Sequence, residues 1–518
     1  MAVQIKTAQQ AVEIVKDGDH LALGGFVGIV VPEALSYALG ERFKQTGHPR
    51  DLSIYFSAGQ GDGKEKANNH LAQEGMVSMA LGGHWGLVPK LQKLANENKL
   101  TGYNFPQGII SHLLRDSAAG KPGTISPIGL GTFVDPRIEG GKINGITKKD
   151  LVSVMEIKGK EYLFYDRIDA NVAFIRGTTA DENGNITMEE ECLFGENLAI
   201  AQLVKNNGGH VIVQVKRVVK AGELDPQHIK IPGIFVDTVV IADESQHMQT
   251  FAEQYNPAYC GQGEKVGREI NIRPLDAKKI IARRAAMELK KGAILNFGIG
   301  APEVIAEITD EEGVTNQTIA TIEPGAIGGT PAGGLSFGAS AFPEAIITQD
   351  QMFDFYDGGG IDQAFLGLAE CDLKGDLNVS KFGPKIAGCG GFINITQSAK
   401  QVFFCGTFTA GKLEFKTGDG KLTIVADGTI KKFINKVQQI TFSGEIARQN
   451  HVPVLYITER AVFRLSPTGM ELIEVAPGVD LQKDILDQME FKPEISPNLT
   501  EMDARIFTNQ PMNLKLKA

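Results

Sequence analysis

Glu323 closes the apolar run of TIATIEPGAIGG (318–329), directly before a proline and repeated glycines. Most acids at strand ends face water. Glycine-rich backbone, however, lets a bulky substrate approach closely, and that setting makes Glu323 a candidate catalytic carboxylate. Gln107 is a second candidate, set between Pro106 and Gly108 in YNFPQG (103–108). A tight turn there would present its amide as a hydrogen-bond donor to a carboxylate or a developing oxyanion. The stretch 353–395 is dense in glycine, with Gly358-Gly359-Gly360 and Gly388-Cys389-Gly390-Gly391. Such density implies backbone packed against something large and flat, or phosphorylated. Cys389 has no evident base nearby, so it reads as a structural thiol. Gly24 and Gly25 open GGFVGIVVPEAL (24–35). That segment is either a closely packed strand–turn–helix connection or an anion site at a helix N-terminus.

Other chemistries fit less well. The glycines at 24–28 lack the GxGxxG spacing of a dinucleotide fingerprint, which argues against a nicotinamide-dependent dehydrogenase. SAGQGDGK (57–64) fails as a P-loop, because three residues separate Gly59 from Gly63 and Glu65 follows Lys64. The nine histidines show no HExxH or paired spacing, so no metal site is expected. The five cysteines form no CxxC and their count is odd, which suits reduced thiols in a cytoplasmic enzyme. A net charge of -10 argues against nucleic acid, whose phosphates need basic clusters. No signal peptide and no apolar run of membrane-spanning length is read.

The elements that must position these residues are short apolar runs alternating with amphipathic stretches. Strands are expected over 21–26, 52–57, 171–176, 210–215, 237–243, 293–298, 318–323, 401–406 and 454–458. Helices are expected around Ala11–Lys16 and Ala285–Lys291, and a hairpin turns at Ser466–Gly469. Apolar strands without strict alternation, separated by helices, predict mostly parallel sheets in an α/β fold. An internal repeat divides the chain. Residues 11–35 and 285–306 share a helix, a glycine turn, an apolar strand, a glycine cluster and a Pro-Glu helix start. Residues 52–63 then align with 318–329, which sets Ser57 opposite Glu323. The expectation is two similar open α/β domains fused in one chain, at 1–243 and 278–518, with 244–277 as a linker.

Taken in order, these motifs resemble the class I (family I) CoA-transferases, and among them the single-chain acetate/propionate enzymes with fused halves. GGFVGIVVPEAL, FPQG, IGLGTFVDPR (128–137), GKIN (141–144), FGIGAPE (297–303), IEPGAIGG, GGGID (358–362), LGLAECD (366–372), GCGGF (388–392) and ITERAVF (457–463) span nearly the whole chain. The resemblance implies that Glu323 is the nucleophile and that CoA passes through a glutamyl-CoA thioester with ping-pong kinetics. It implies Gln107, Gly24 and Gly25 at the oxyanion and substrate. It implies Gly298, Gly300, Gly388, Gly390 and Gly391 along coenzyme A, which is a co-substrate, with no permanently bound cofactor. Acyl-CoA and short-chain carboxylic acids are the expected partners, with neither nucleic acid nor membrane, in a homodimer or homotetramer. Enzymes acting on succinate and 3-oxoacids have a shorter connection between the halves, and carry Glu-Asn after a serine where this chain has Glu323-Pro324-Gly325. That departure favours short monocarboxylates. The rival readings on the same scaffold are an acyl-CoA hydrolase and a non-catalytic acyl-CoA sensor.

Overall fold

The computed structural model describes residues 3–264 and 272–518, which form two compact units. The first unit comprises Met1–Lys265 with Ile322–Asp354 and Phe382–Asn394; the second comprises Val266–Thr321, Phe355–Lys381 and Ile395–Ala518.

The first unit is built on an eight-stranded, wholly parallel sheet. Its order is β1 (Gln4–Lys6), Thr238–Ile241, His210–Val215, Val172–Arg176, β2 (His20–Leu23), β3 (Leu52–Phe56), β4 (Val77–Gly82) and β5 (Thr101–Asn104). Side chains alternate across a strand, and here both faces are covered, so the strands read as unbroken apolar runs. Ala22, Tyr55, Ala173 and Ile175 pack on one face with Ile110 and Leu113 of α4 (Gln107–Ala118) and Ile200 of α5 (Asn197–Asn206). Leu21, Leu23, Ile54, Phe56, Val172 and Phe174 pack on the other. That second face is closed by Val12 of α1 (Ala8–Val12), Leu35 and Leu39 of α2 (Glu33–Thr46), and Leu91 and Ala95 of α3 (Pro89–Asn96).

The second unit repeats the plan. Ile319–Thr321, Ile294–Phe297, Gln363–Gly367, Val402–Cys405 and Val454–Ile457 lie parallel in that order. Ala461–Leu465 and Met470–Val475 then extend the sheet antiparallel, with Leu465 opposite Met470. Helices α6 (Ala277–Ala286) and α7 (Glu303–Glu311) bury Ile280, Ile281, Val304 and Ile305 against Leu295, Phe365 and Phe403.

The expected strands and the hairpin are present. The Pro-Glu starts open α2 and α7, with Pro32 and Pro302 at the caps. The helix expected at 285–291 instead begins at Ala277, because Asp276 caps it by accepting the Lys279 N–H, and it ends at Ala286. Likewise α1 starts at Ala8, behind a Thr7–Gln10 capping box, and stops at Val12.

The units do not follow the sequence halves: 322–354 and 382–394 pack with the first half. Of the span read as a linker, 265–271 lies outside the described residues. Residues before it are folded into the first unit, where His247, Gln249 and Thr250 are fully buried. Arg176 holds them there. Its guanidinium pairs with Glu191 at 2.9 Å and donates to the Met248 carbonyl at 2.8 Å. His247 Nε2 meets Glu191 Oε1 at 3.2 Å. Among the described residues no helix is long and apolar enough to cross a membrane.

Candidate active site

Glu323 and Pro324 are the central residues of a tight turn, closed by the Gly325 N–H donating to the Ile322 carbonyl at 3.0 Å. Ile322 also donates to the Ala326 carbonyl at 3.0 Å. Gly325 has φ of 125°, and a Cβ there would sit 2.0 Å from the Ile347 carbonyl oxygen, so only glycine completes the turn. Ile322 and Ala326 are buried in one cluster with Phe26, Val27, Ala58 and Leu193. The turn therefore lies against the GGFVG segment and the residue after Ser57. Glu323 itself is only 7% exposed.

Gln107 is also buried, at 3% exposure. It is the first residue of α4, not a turn residue as its Pro-Gln-Gly context suggests. Pro106 cannot donate and sits just outside the helix, so the helix starts at the glutamine. The Gln107 N–H donates to the Gly390 carbonyl at 2.9 Å, and the Gly390 N–H donates to the Gly83 carbonyl at 2.7 Å. The Cys389 N–H donates to Asn104 Oδ1 at 2.9 Å, while Asn104 Nδ2 donates to Gly82 and Gly83 carbonyls at 2.8 and 2.6 Å. Trp85 and Gly86 both donate to the Ala387 carbonyl, at 2.7 and 2.9 Å. The GCGG loop is thus tied to the C-terminal ends of β4 and β5. That end of a parallel sheet is where open α/β folds bind ligands. Cys389 is buried, and burial pushes its thiol well above the ordinary range, so it is no thiolate.

Behind Gln107 runs a buried polar chain. Gln107 Nε2 donates to Gln349 Oε1 at 3.3 Å. Gln349 Nε2 donates to Ser57 Oγ at 3.0 Å and to Ser111 Oγ at 2.7 Å. Ser57 Oγ donates to Glu196 Oε1 at 2.5 Å. Burial drives the Glu196 carboxyl up to about 7; the Ser57 hydroxyl opposes that shift, and Asp350 adds to it. Gln349 opens α8 (Gln349–Asp357), which is clamped to α4 by Asp354 meeting His112 Nε2 at 3.1 Å and Arg115 Nη1 at 2.6 Å. His84, next to Gly390, is held neutral: burial and the Lys385 charge bring it down to about 4.

A coenzyme A transferase family model matches residues 5–242. The acetate CoA-transferase YdiF of Escherichia coli K12 is 46% identical over 515 residues, covering 99% of this chain and 97% of the relative. The caffeate CoA-transferase of Acetobacterium woodii is 46% identical over 510 residues, covering 97% of each chain. The acyl-CoA transferase YdiF of Escherichia coli O157:H7, crystallised as a thioester complex with CoA, matches with a TM-score of 0.94 at 45% identity. That match covers 100% of this chain and 98% of the other. The chain belongs to the class I CoA-transferases.

In this CoA-transferase, Glu323, Gln107, Gly24, Gly25, Gly388, Gly390 and Gly391 all belong to the first unit. Gly298 and Gly300 belong to the second unit, where they follow the strand Ile294–Phe297. Three of these glycines have backbone N–H groups that are already committed to carbonyls of the fold. Gly24 donates to Phe174 at 3.0 Å, Gly298 to Phe365 at 2.8 Å and Gly390 to Gly83. Those three glycines shape the backbone and do not supply N–H donors to a ligand. Among the described residues the N–H groups of Gly25 and Gly391 take no such partner. Gly24 has a steric reason to be glycine, since a Cβ there would lie 2.2 Å from Asn197 Oδ1. Sequence reasoning missed Glu196, Gln349, Ser111 and His84. Only Glu196 left a local signal, as an acid at the cap of α5.

Proposed function

We propose that the chain transfers CoA between a short-chain acyl-CoA and a free short-chain carboxylate, with Glu323 as the nucleophile. The observation that carries this reading is a buried carboxylate on a glycine-closed turn, packed beside the GGFVG segment. Glu323 attacks the thioester carbonyl of the donor, forming a mixed anhydride and releasing the CoA thiolate. The thiolate attacks the glutamyl carbonyl, forming the glutamyl-CoA thioester and releasing the donor acid. The acceptor carboxylate attacks that thioester, giving a new mixed anhydride and CoA thiolate. The thiolate then takes the acceptor acyl group and regenerates the Glu323 carboxylate.

A carboxylate is a weak nucleophile in water. Enclosure makes its attack effectively intramolecular, a gain of up to roughly 7–11 kcal/mol where geometry is good. Each tetrahedral intermediate carries an oxyanion. The Gln107 amide and the uncommitted Gly391 N–H are the donors this reading assigns to it. Coenzyme A supplies binding energy remote from the reacting carbon. Relatives named for acetate and for caffeate support CoA transfer, and the Glu323-Pro324-Gly325 turn supports the smaller acids.

The test is Glu323→Ala, assayed with acetyl-CoA as donor and propionate, butyrate or caffeate as acceptor, and with propionyl-CoA as donor and acetate as acceptor. Wild type is expected to favour acetate and propionate, and the variant to lose transfer to every acceptor. Transfer by the variant at wild-type rate would refute the nucleophile. Thiol release independent of added acid would instead identify a hydrolase.

A further inference from the structure

We propose that Glu196, Ser57 and Gln349 form a buried hydrogen-bond relay that fixes the orientation of the Gln107 carboxamide, and so are positioning residues for CoA transfer. This rests on the reading of Gln107 as an oxyanion donor.

The relay has one direction. Glu196 Oε1 is an acceptor whether the carboxyl is ionised or carries its proton on Oε2, and Ser57 gives it its single hydroxyl proton at 2.5 Å. The Ser57 oxygen can then only accept, so it takes the Gln349 Nε2 proton at 3.0 Å. The other Nε2 proton goes to Ser111 Oγ at 2.7 Å. With its NH2 group held by two serines, Gln349 must turn Oε1 the other way, where it accepts from Gln107 Nε2 at 3.3 Å. Reversing Gln107 would bring two amide oxygens together.

Every member is shut off from water. Glu196 is 1% exposed, Ser57, Ser111 and Gln349 are 0% and Gln107 is 3%. Solvent therefore cannot substitute for a lost link, and an error at one end propagates to the other. The members come from four places in the chain: the cap of α5, the end of β3, the first turns of α4 and the start of α8. The Gln349 N–H also donates to the Gly195 carbonyl at 3.1 Å, which ties the two ends of the relay together. In the sequence repeat Ser57 stands opposite Glu323. One half supplies the carboxylate; the other supplies the hydroxyl that orients an amide.

The experiment compares Ser57→Ala, Glu196→Leu and Glu196→Gln with wild type, and repeats Ser57→Ala on a Gln107→Leu background. Folding is checked by thermal melts. Ser57→Ala and Glu196→Leu are each expected to lower kcat by roughly 10–100-fold, a fraction of what loss of an oxyanion donor costs. KM for acyl-CoA should change less than about threefold, and Glu196→Gln, which keeps the acceptor oxygen, should stay within about threefold of wild-type kcat. On the Gln107→Leu background, Ser57→Ala should cost less than about twofold more, as expected for residues acting through one group. Full additivity, or wild-type kcat in Ser57→Ala while Gln107→Leu is impaired, would overturn the relay alone. Wild-type kcat in Gln107→Leu would overturn the oxyanion reading and the relay with it.

Discussion

The Gly390 N–H donates to the Gly83 carbonyl at 2.7 Å, so the second-half GCGG loop is hydrogen-bonded to the end of a first-half strand. The contact leaves no room for a side chain. A Cβ at Gly83 would lie 2.0 Å from the Ser57 carbonyl oxygen and 3.2 Å from Gln107 Cα. Both are backbone atoms and neither can swing aside. Gly83→Ala is therefore expected to displace the loop and lower kcat by at least roughly 100-fold, the order expected when a positioning contact fails. The check is steady-state transfer on protein shown to be folded by circular dichroism. A fully active Gly83→Ala enzyme would mean that the loop is not held in this register.

Glu196 sets a pH dependence of stability. Burial raises its folded-state pKa from 4.5 to about 7, so the fold favours the neutral carboxyl. Between those values the unfolded chain releases the proton and the folded chain keeps it. Stability from this group is therefore lost as pH rises from about 4.5 to about 7 and stays level above that. Glu196→Gln removes the titration. Its melting temperature relative to wild type should increase from pH 5 to pH 8, by a free energy on the order of 3 kcal/mol. Parallel profiles across that range would contradict the assignment.

Glu191 behaves in the opposite way. Burial raises its carboxyl, but the Arg176 charge and the His247 hydrogen bond outweigh that and bring it to about 2. Removing one partner of a buried pair leaves the other charge uncompensated. Glu191→Gln is expected to cost about 3–5 kcal/mol in urea denaturation. A cost under about 1 kcal/mol would place the Arg176–Glu191 pair among the weak, solvent-screened kind.

The candidate site was partly legible in the sequence because its backbone carries local signals. Gly325 and Gly24 are forced by close approach, and the Pro-Glu helix starts are punctuation that a single sequence displays. The strands were legible because residues buried on both faces form continuous apolar runs, as in 52–56 and 172–176. The unit boundary was not legible. Residues 322–354 and 382–394 join the first unit through contacts such as Gly390 with Gly83 and Ile386 with Gln92, which connect residues some 300 positions apart. The relay was hidden for the same reason. Ser111, Glu196 and Gln349 are ordinary polar residues until three helix starts bring them to Ser57 at the end of a sheet strand.

The central claim is that the Glu323 carboxylate carries the CoA. It is tested by incubating the enzyme with acetyl-CoA in the absence of acceptor acid, reducing with borohydride, digesting, and sequencing the peptides by mass spectrometry. Glu323 should be recovered reduced to the corresponding alcohol, in a reaction that requires acyl-CoA and is absent from Glu323→Ala. An unmodified Glu323 peptide from enzyme that turns over in the same preparation, or an acyl adduct at another residue, would contradict it.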